Sequence, residues 1–190
     1  MAAADPDADG PEDRTQRLDL YKPVVEDAVE LHAILSDARL WTHYPTKRYT
    51  TMSQTAAALE RWIAGWHADG LGTWVVRERV SGNVVGYGGC SLQGSKVWNL
   101  GYRFAVEAHG RGFATDLGKH AMQRAHARRP QTPIIASIVE HNPASAAVAV
   151  KLGMHQVHRG PDADNPAPSA IRLIYADAPL SEEELAAALR

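Results

Sequence analysis

The spacing of apolar and polar residues changes several times along this chain, and each change predicts an element. "RLDLYKP" alternates Leu18 and Leu20 with polar positions and reads as a first strand ended by Pro23. In "VVEDAVELHAILSD", Val25, Ala28, Val29, His32 and Leu35 recur at helical spacing. "THYPTKRYTTMS" has no period and predicts a loop. Ser53 then opens a helix, "SQTAAALERWIAGWHADG", which Gly70 stops. "TWVVRER" and "VVGYGGCSL" alternate around Ser81-Gly82-Asn83 and predict a hairpin. Gly86, Gly88 and Gly89 in the second arm predict a bulge or another backbone close by. "KVWNLGYRFAV" continues as a third strand, with Trp98, Leu100, Tyr102 and Phe104 alternating with Asn99, Gly101 and Arg103.

After Gly112 the period becomes helical, with Ala114, Leu117, Ala121 and Ala125 on one face of "ATDLGKHAMQRAHARR". "PIIASIVE" reads as a buried strand. "NPASAAVAVKLGM" reads as a helix with Asn142 as N-cap, Pro143 at the first helical position and Gly153 just past the end. "HQVHRG" and "IRLIYAD" are strands separated by the Pro-rich loop "PDADNPAPSA". "SEEELAAALR" holds a capping box, Ser181 with Glu184, and predicts a short last helix. An antiparallel meander followed by strand–helix–strand predicts a mixed α/β domain. One domain is expected over residues 15–190.

Composition narrows the function classes. Residues 1–14 are acidic and poor in apolar side chains, and predict a disordered tail. The formal net charge of −2 gives no global attraction to nucleic acid or to an anionic membrane. No apolar run reaches membrane-span length, and the N-terminus lacks the pattern of a signal peptide. With the single Cys90 no intrachain disulfide can form. These features predict a cytoplasmic protein with neither nucleic acid nor membrane as partner. The nine histidines show no metal-ligand spacing, and no metal site is expected. His32 and His43 read as structural or exposed.

Candidate chemistry centres on "HGRGFAT", residues 109–115. A helix N-terminus presents free N–H groups and a partial positive charge. Glycines ahead of it let an anion approach, and Arg111 adds a phosphate-shaped donor fork. The loop lacks the lysine of a Walker motif, and Thr115 stands where a dinucleotide fingerprint needs its third glycine. Its place after an antiparallel meander also argues against NAD.

The run "LGYRFAVEAHGRGFATDLGKHAMQRA … IIASIVEHNPASAAVAVKLGMHQV" resembles the core of the GNAT superfamily of acetyl-CoA-dependent N-acyltransferases, nearest its RimJ/RimL-like branch of ribosomal-protein N-terminal acetyltransferases. Gly112 and Ala114 match the last fixed positions of the family loop [Q/R]-x-x-G-x-[G/A], and His109 occupies its first. Asn142, Ser145, Val148, Lys151, Leu152, Gly153 and Met154 match the later signature. The resemblance implies a twisted, mixed sheet of six or seven strands flanked by helices. Its fourth and fifth strands, here "WNLGYRFAV" and "PIIASIVE", would part at a bulge. Acetyl-CoA would enter the gap as co-substrate. Its pyrophosphate would sit on Arg111, Gly112, Phe113, Ala114 and Thr115, and its pantetheine arm would lie along the fourth strand. Asn142 and Lys151 come from the later signature as further cofactor-binding positions.

Acetyl transfer needs a neutral amine, a donor to the thioester oxygen and a protonated leaving thiol. The resemblance makes Ser145 the catalytic candidate at the sulfur. The donor to the oxygen is expected among the backbone N–H groups of Phe104, Ala105 and Val106. The branch often has a Glu as base in E-[apolar]-G-Y, but this chain has Asn99-Leu100-Gly101-Tyr102, and Asn99 accepts no proton. Water, Glu140, Glu107 and His141 stay open as bases. The expected partner is a primary amine, either a protein N-terminus or a small molecule. A homodimer and a non-catalytic acyl-CoA-binding role are the further alternatives.

Overall fold

A computed structural model describes residues 10–190. Most of the expected acidic tail, residues 1–9, lies outside the described residues. The tail ends earlier than expected, because Asp13–Arg14 (β1) pairs with Leu18–Tyr21 (β2). Charge drives that pairing: Arg14 bridges Asp19 at 2.9 Å, and Asp13 takes Arg124 at 3.1 Å. An acidic segment that lacks apolar residues thus gains a place through ions on its neighbours.

The remaining strands are Thr73–Glu78 (β3), Val84–Gln93 (β4), Val97–Phe104 (β5), Ile134–Val139 (β6), His155–Pro161 (β7) and Ile171–Ala176 (β8). They form one sheet of eight strands in the order β1-β2-β3-β4-β5-β6-β8-β7. All neighbours are antiparallel except β5 and β6, which are joined by a helical crossover. The helices are Ala28–Leu35 (α1), Met52–Asp69 (α2), Phe113–Arg128 (α3), Pro143–Lys151 (α4) and Glu182–Ala188 (α5). The second begins one residue before Ser53, on a capping box of Thr51 and Gln54. Gly70 stops it in the left-handed conformation, φ 68°.

Alternation along the strands divides the core by face. Trp98, Leu100 and Phe104 of β5 and Ile134, Ala136 and Ile138 of β6 pack under Leu117, Ala121 and Ala125 of α3 and Ala149 of α4. On the opposite face Leu31, Ile34 and Leu35 of α1 and Leu59 of α2 cover Val75. Also on that face, Ala187 and Ala188 of α5 cover Val97, Ile135 and Ile174. Gly88 of β4 explains part of the glycine run in that strand. A Cβ there would lie 2.6 Å from Cβ of Tyr102 and 2.7 Å from Leu117, so only glycine lets β5 and α3 approach β4 this closely.

The position of the site follows from one short ladder. β5 and β6 pair only at Trp98↔Ile134 and Asn99↔Ile135, although both strands run on. The two strands part without the expected bulge: β5 keeps a continuous register with β4 from Gly86↔Phe104 to Gln93↔Val97. The parting therefore comes from β6, which stays with β8 from Ile135↔Ala176 to Val139↔Arg172 and diverges from β5.

Candidate functional site

A cavity of about 430 Å³ fills the gap between β5 and β6. Strand alternation states which backbone groups it exposes. The N–H of Trp98 donates to Pro133 on the β6 side, and the N–H of Ala105 donates to Val85 on the β4 side. N–H groups of successive residues point to opposite edges, so those of Leu100, Tyr102 and Phe104 point toward β6. Past Asn99 no strand meets them. Ala105 is committed to β4, and the Phe104 carbonyl is bonded to His109 Nε2 at 3.0 Å. The N–H groups of Leu100, Tyr102 and Phe104 point into the gap. Val106 begins a short 3-10 turn, Val106–Ala108, away from the cavity lining.

On the α3/α4 side, Asn142 and Ser145 line the cavity. Asn142 caps α4, its Oδ1 accepting from the Ser145 N–H at 3.2 Å. The Ser145 hydroxyl lies beside the Tyr102 phenol, and burial raises that phenol above its usual pKa. Tyr102 also lines the cavity, and sequence reasoning missed it, because its spacing with Trp98, Leu100 and Phe104 reads as core. Lys151 is not brought to the cavity. It is exposed in the last turn of α4, where its charge suits the helix C-terminus.

The glycine loop ends at the N-terminus of α3. Gly112 sits at φ 76°, a left-handed conformation unfavourable for other residues, and a Cβ on it would meet only the Arg17 guanidinium at 3.5 Å. The N–H groups of Phe113, Ala114 and Thr115 open the helix and have no carbonyl within it to bond. Arg111 does not hang free over them. Its guanidinium pairs with Glu78 and lies 4.5 Å from the Phe113 ring centre, and that pair holds the Glu78 carboxyl below its usual pKa. Arg17 from β1–β2 is the residue that the sequence did not reveal. It donates to the carbonyls of Arg111 at 2.6 Å and Gly112 at 3.2 Å, and bridges Asp116 at 3.4 Å. Ninety-four positions separate Arg17 from Arg111, so no local pattern could have found it.

Across the sheet the cavity wall is aromatic: Trp41, Tyr44, Tyr49 and Tyr87. The two loops without a readable period meet there, with the Tyr44 hydroxyl donating to the Asp164 carbonyl at 2.7 Å. The base candidates fare differently. Glu140 is drawn to Arg159 at 2.6 Å and Glu107 to Arg39 at 2.8 Å, and neither lines the cavity. His141 donates Nε2–H to the His43 carbonyl at 2.7 Å. His43, expected to be structural or exposed, instead lines the cavity half-buried. Burial, then Arg103 and His141, lowers its pKa, so the ring is neutral near pH 7. Among the described residues no group of three or more His, Cys, Asp or Glu could hold a metal ion. Nor is any described helix long and apolar enough to cross a membrane.

The chain thus joins a mixed sheet parted between two parallel strands to a helix whose first N–H groups are unpaired within it. The acetyltransferase (GNAT) domain family matches residues 17–155, and the chain belongs to that family. Protein YkkB of Bacillus subtilis (strain 168), which is uncharacterized, is 28% identical over 89 residues, 45% of this chain and 52% of its own length. The match thus spans about half of that relative. Solved structures of similar fold include an acetyltransferase from Agrobacterium tumefaciens str. C58, with 22% identity, TM-score 0.71, and 89% of this chain and 95% of that one covered. A second is RimL, the ribosomal L7/L12 alpha-N-protein acetyltransferase, in complex with coenzyme A, with 18% identity, TM-score 0.70, and 87% and 97% covered.

Proposed function

We propose that the chain is an acetyl-CoA-dependent N-acetyltransferase acting by direct attack in a ternary complex. The observation that carries this reading is the gap between β5 and β6, lined on one side by the Tyr102–Ser145 pair and on the other by aromatic residues. Acetyl-CoA would reach the gap from the α3 side, its pyrophosphate on the N–H groups of Phe113 to Thr115. The amine nitrogen attacks the thioester carbon, a C–N bond forms and the C–S bond breaks. The Tyr102 and Phe104 N–H groups face the oxygen as charge builds. Ser145 gives its proton to the leaving sulfur, the Tyr102 phenol returns one to the serine, and solvent returns one to the phenol. The proton lost by the amine goes to His43 or to water. Fold likeness to RimL supports a protein or peptide α-amine as acceptor. Such an amine has a pKa of about 7.7–8.0 and needs less help than a lysine near 10.4.

A lowered His43 pKa has a consequence for rate. The ring is already deprotonated between pH 7 and 8, so kcat/KM for an α-amine should rise there with the acceptor's ionisation alone. A second break should appear on the acid side, below the ordinary histidine value of 6.5, as His43 gains its proton. His43→Gln should remove that break and leave the upper one. An acid break unchanged in His43→Gln would show that the ring takes no part.

Arg17 supplies a third test. It holds the loop by its carbonyls, so Arg17→Ala should weaken coenzyme A binding roughly three- to ten-fold, about 1 kcal/mol for an exposed charge-assisted pair. Arg17→Glu should weaken it more, by adding repulsion. Equal affinity of wild type and both variants in calorimetry would detach Arg17 from the cradle.

A further inference from the structure

Beyond its field on His43, Arg103 takes no part in the steps above, and its setting is unusual. It lies on β5 next to Tyr102, so its side chain leaves the sheet on the opposite face, where it lines the cavity. The guanidinium stacks 3.6 Å over the Trp41 ring. One Nη donates to the Leu40 carbonyl, and the Tyr87 ring lines the same wall. Its buried Nε has no hydrogen-bond partner, and no carboxylate pairs with it among the described residues.

The other charges in the cavity do not compensate it. Arg172 also lines the wall but is paired with Asp162 and, at 3.1 Å, with Asp164. Asp162 is thereby spent. Lys47 is a further cation, 5.5 Å from the Tyr44 ring centre. His43 is neutral near pH 7. The acceptor side thus carries net positive charge, with one fixed guanidinium held rigidly by an aromatic stack. A partly buried charge without a counter-ion is costly, and a bound anion relieves that cost. The same field repels polyamines, which bring a further positive charge beyond the reacting amine.

We propose that Arg103 makes this an acceptor site for α-amines that carry a carboxylate close to the reacting nitrogen, with apolar bulk against Trp41 and Tyr49. The inference rests on the N-acetyltransferase reading and names its substrate class. Two sources share this chemistry: a free amino acid, through its α-carboxylate, and a peptide whose first or second residue is Asp or Glu.

The test compares matched pairs: phenylalanine with phenylalaninamide, and peptide amides beginning Glu-Phe with those beginning Gln-Phe. The acid of at least one pair should be acetylated ten-fold or more faster in kcat/KM, chiefly through KM. Which pair responds identifies the source. At pH 8, where His43 is neutral with or without the guanidinium, Arg103→Met should abolish the preference chiefly by raising KM for the acid, and Arg103→Lys should keep part of it. Equal rates for acid and amide in both pairs, or a preference that survives Arg103→Met, would overturn the proposal. Binding is measured separately by calorimetry with 3-phenylpropionate and its amide in saturating coenzyme A. Wild type should bind the acid alone, and Arg103→Met neither. If no amine is acetylated, the transferase reading falls, and this binding measurement decides the anion site by itself. Wild-type protein that does not bind 3-phenylpropionate then overturns it.

Discussion

Gly112→Val should lose a hundred-fold or more of its affinity for acetyl-CoA. Two effects add. Valine at φ 76° is strained by about 1–3 kcal/mol, which the loop relieves by turning its N–H groups away from the ligand. The new side chain also fills the space between the loop and Arg17, where a Cβ alone would already touch the guanidinium at 3.5 Å. Breaking one charge-assisted hydrogen bond from these N–H groups to a phosphate oxygen costs about 1.5–3 kcal/mol more. Gly112→Ala has the strain without most of the bulk and should fall between the two. The loop is exposed, so both variants should fold, which circular dichroism checks. Affinity within three-fold of wild type in Gly112→Val would mean that the pyrophosphate binds elsewhere.

Ser145→Ala should lower kcat by about ten- to a hundred-fold while acetyl-CoA affinity stays nearly unchanged. The hydroxyl acts as negative charge develops on sulfur, and one such hydrogen bond is worth about 1.5–3 kcal/mol. An interaction made only in the transition state appears in kcat, not in ground-state binding. Tyr102 sharpens the test. Because its phenol reaches Ser145, Tyr102→Phe should cost a similar factor, and the double variant little more than either single one. Additive losses would break the relay, and wild-type turnover in Ser145→Ala would remove the serine from the reaction.

What the sequence could and could not reveal has a physical pattern. Caps and crossover helices were legible because their signals are local. The Ser181–Glu184 box, the Asn142 cap and the Gly70 stop each involve residues a few positions apart. The glycine stop before α3 was legible for the same reason, since Gly112 directly precedes Phe113. The edge strand Asp13–Arg14 was hidden, since its partners Asp19 and Arg124 lie on separate elements. The loop from Trp41 to Thr50 has no period to read; its course is fixed by distant contacts, Tyr44 with Asp164 and His141 with the His43 carbonyl. Such contacts, with Arg103 on Trp41 and the Leu40 carbonyl, carry His43 into the cavity. Tyr102 shows the reverse case. Its apolar row places it correctly on the α3 face, but the row conceals that its hydroxyl ends beside Ser145.

The central claim is that the gap between β5 and β6 binds acetyl-CoA and delivers its acetyl group to an amine. Free-thiol release from acetyl-CoA, followed in a metal chelator with a panel of α-amino acids, N-terminal peptides and polyamines, tests it most directly. The account predicts amine-dependent release matched mole for mole by acetylated product, together with a raised melting temperature in acetyl-CoA alone. Thermal stabilisation without release for any amine would point to a binding module, and the absence of both stabilisation and release would contradict the account.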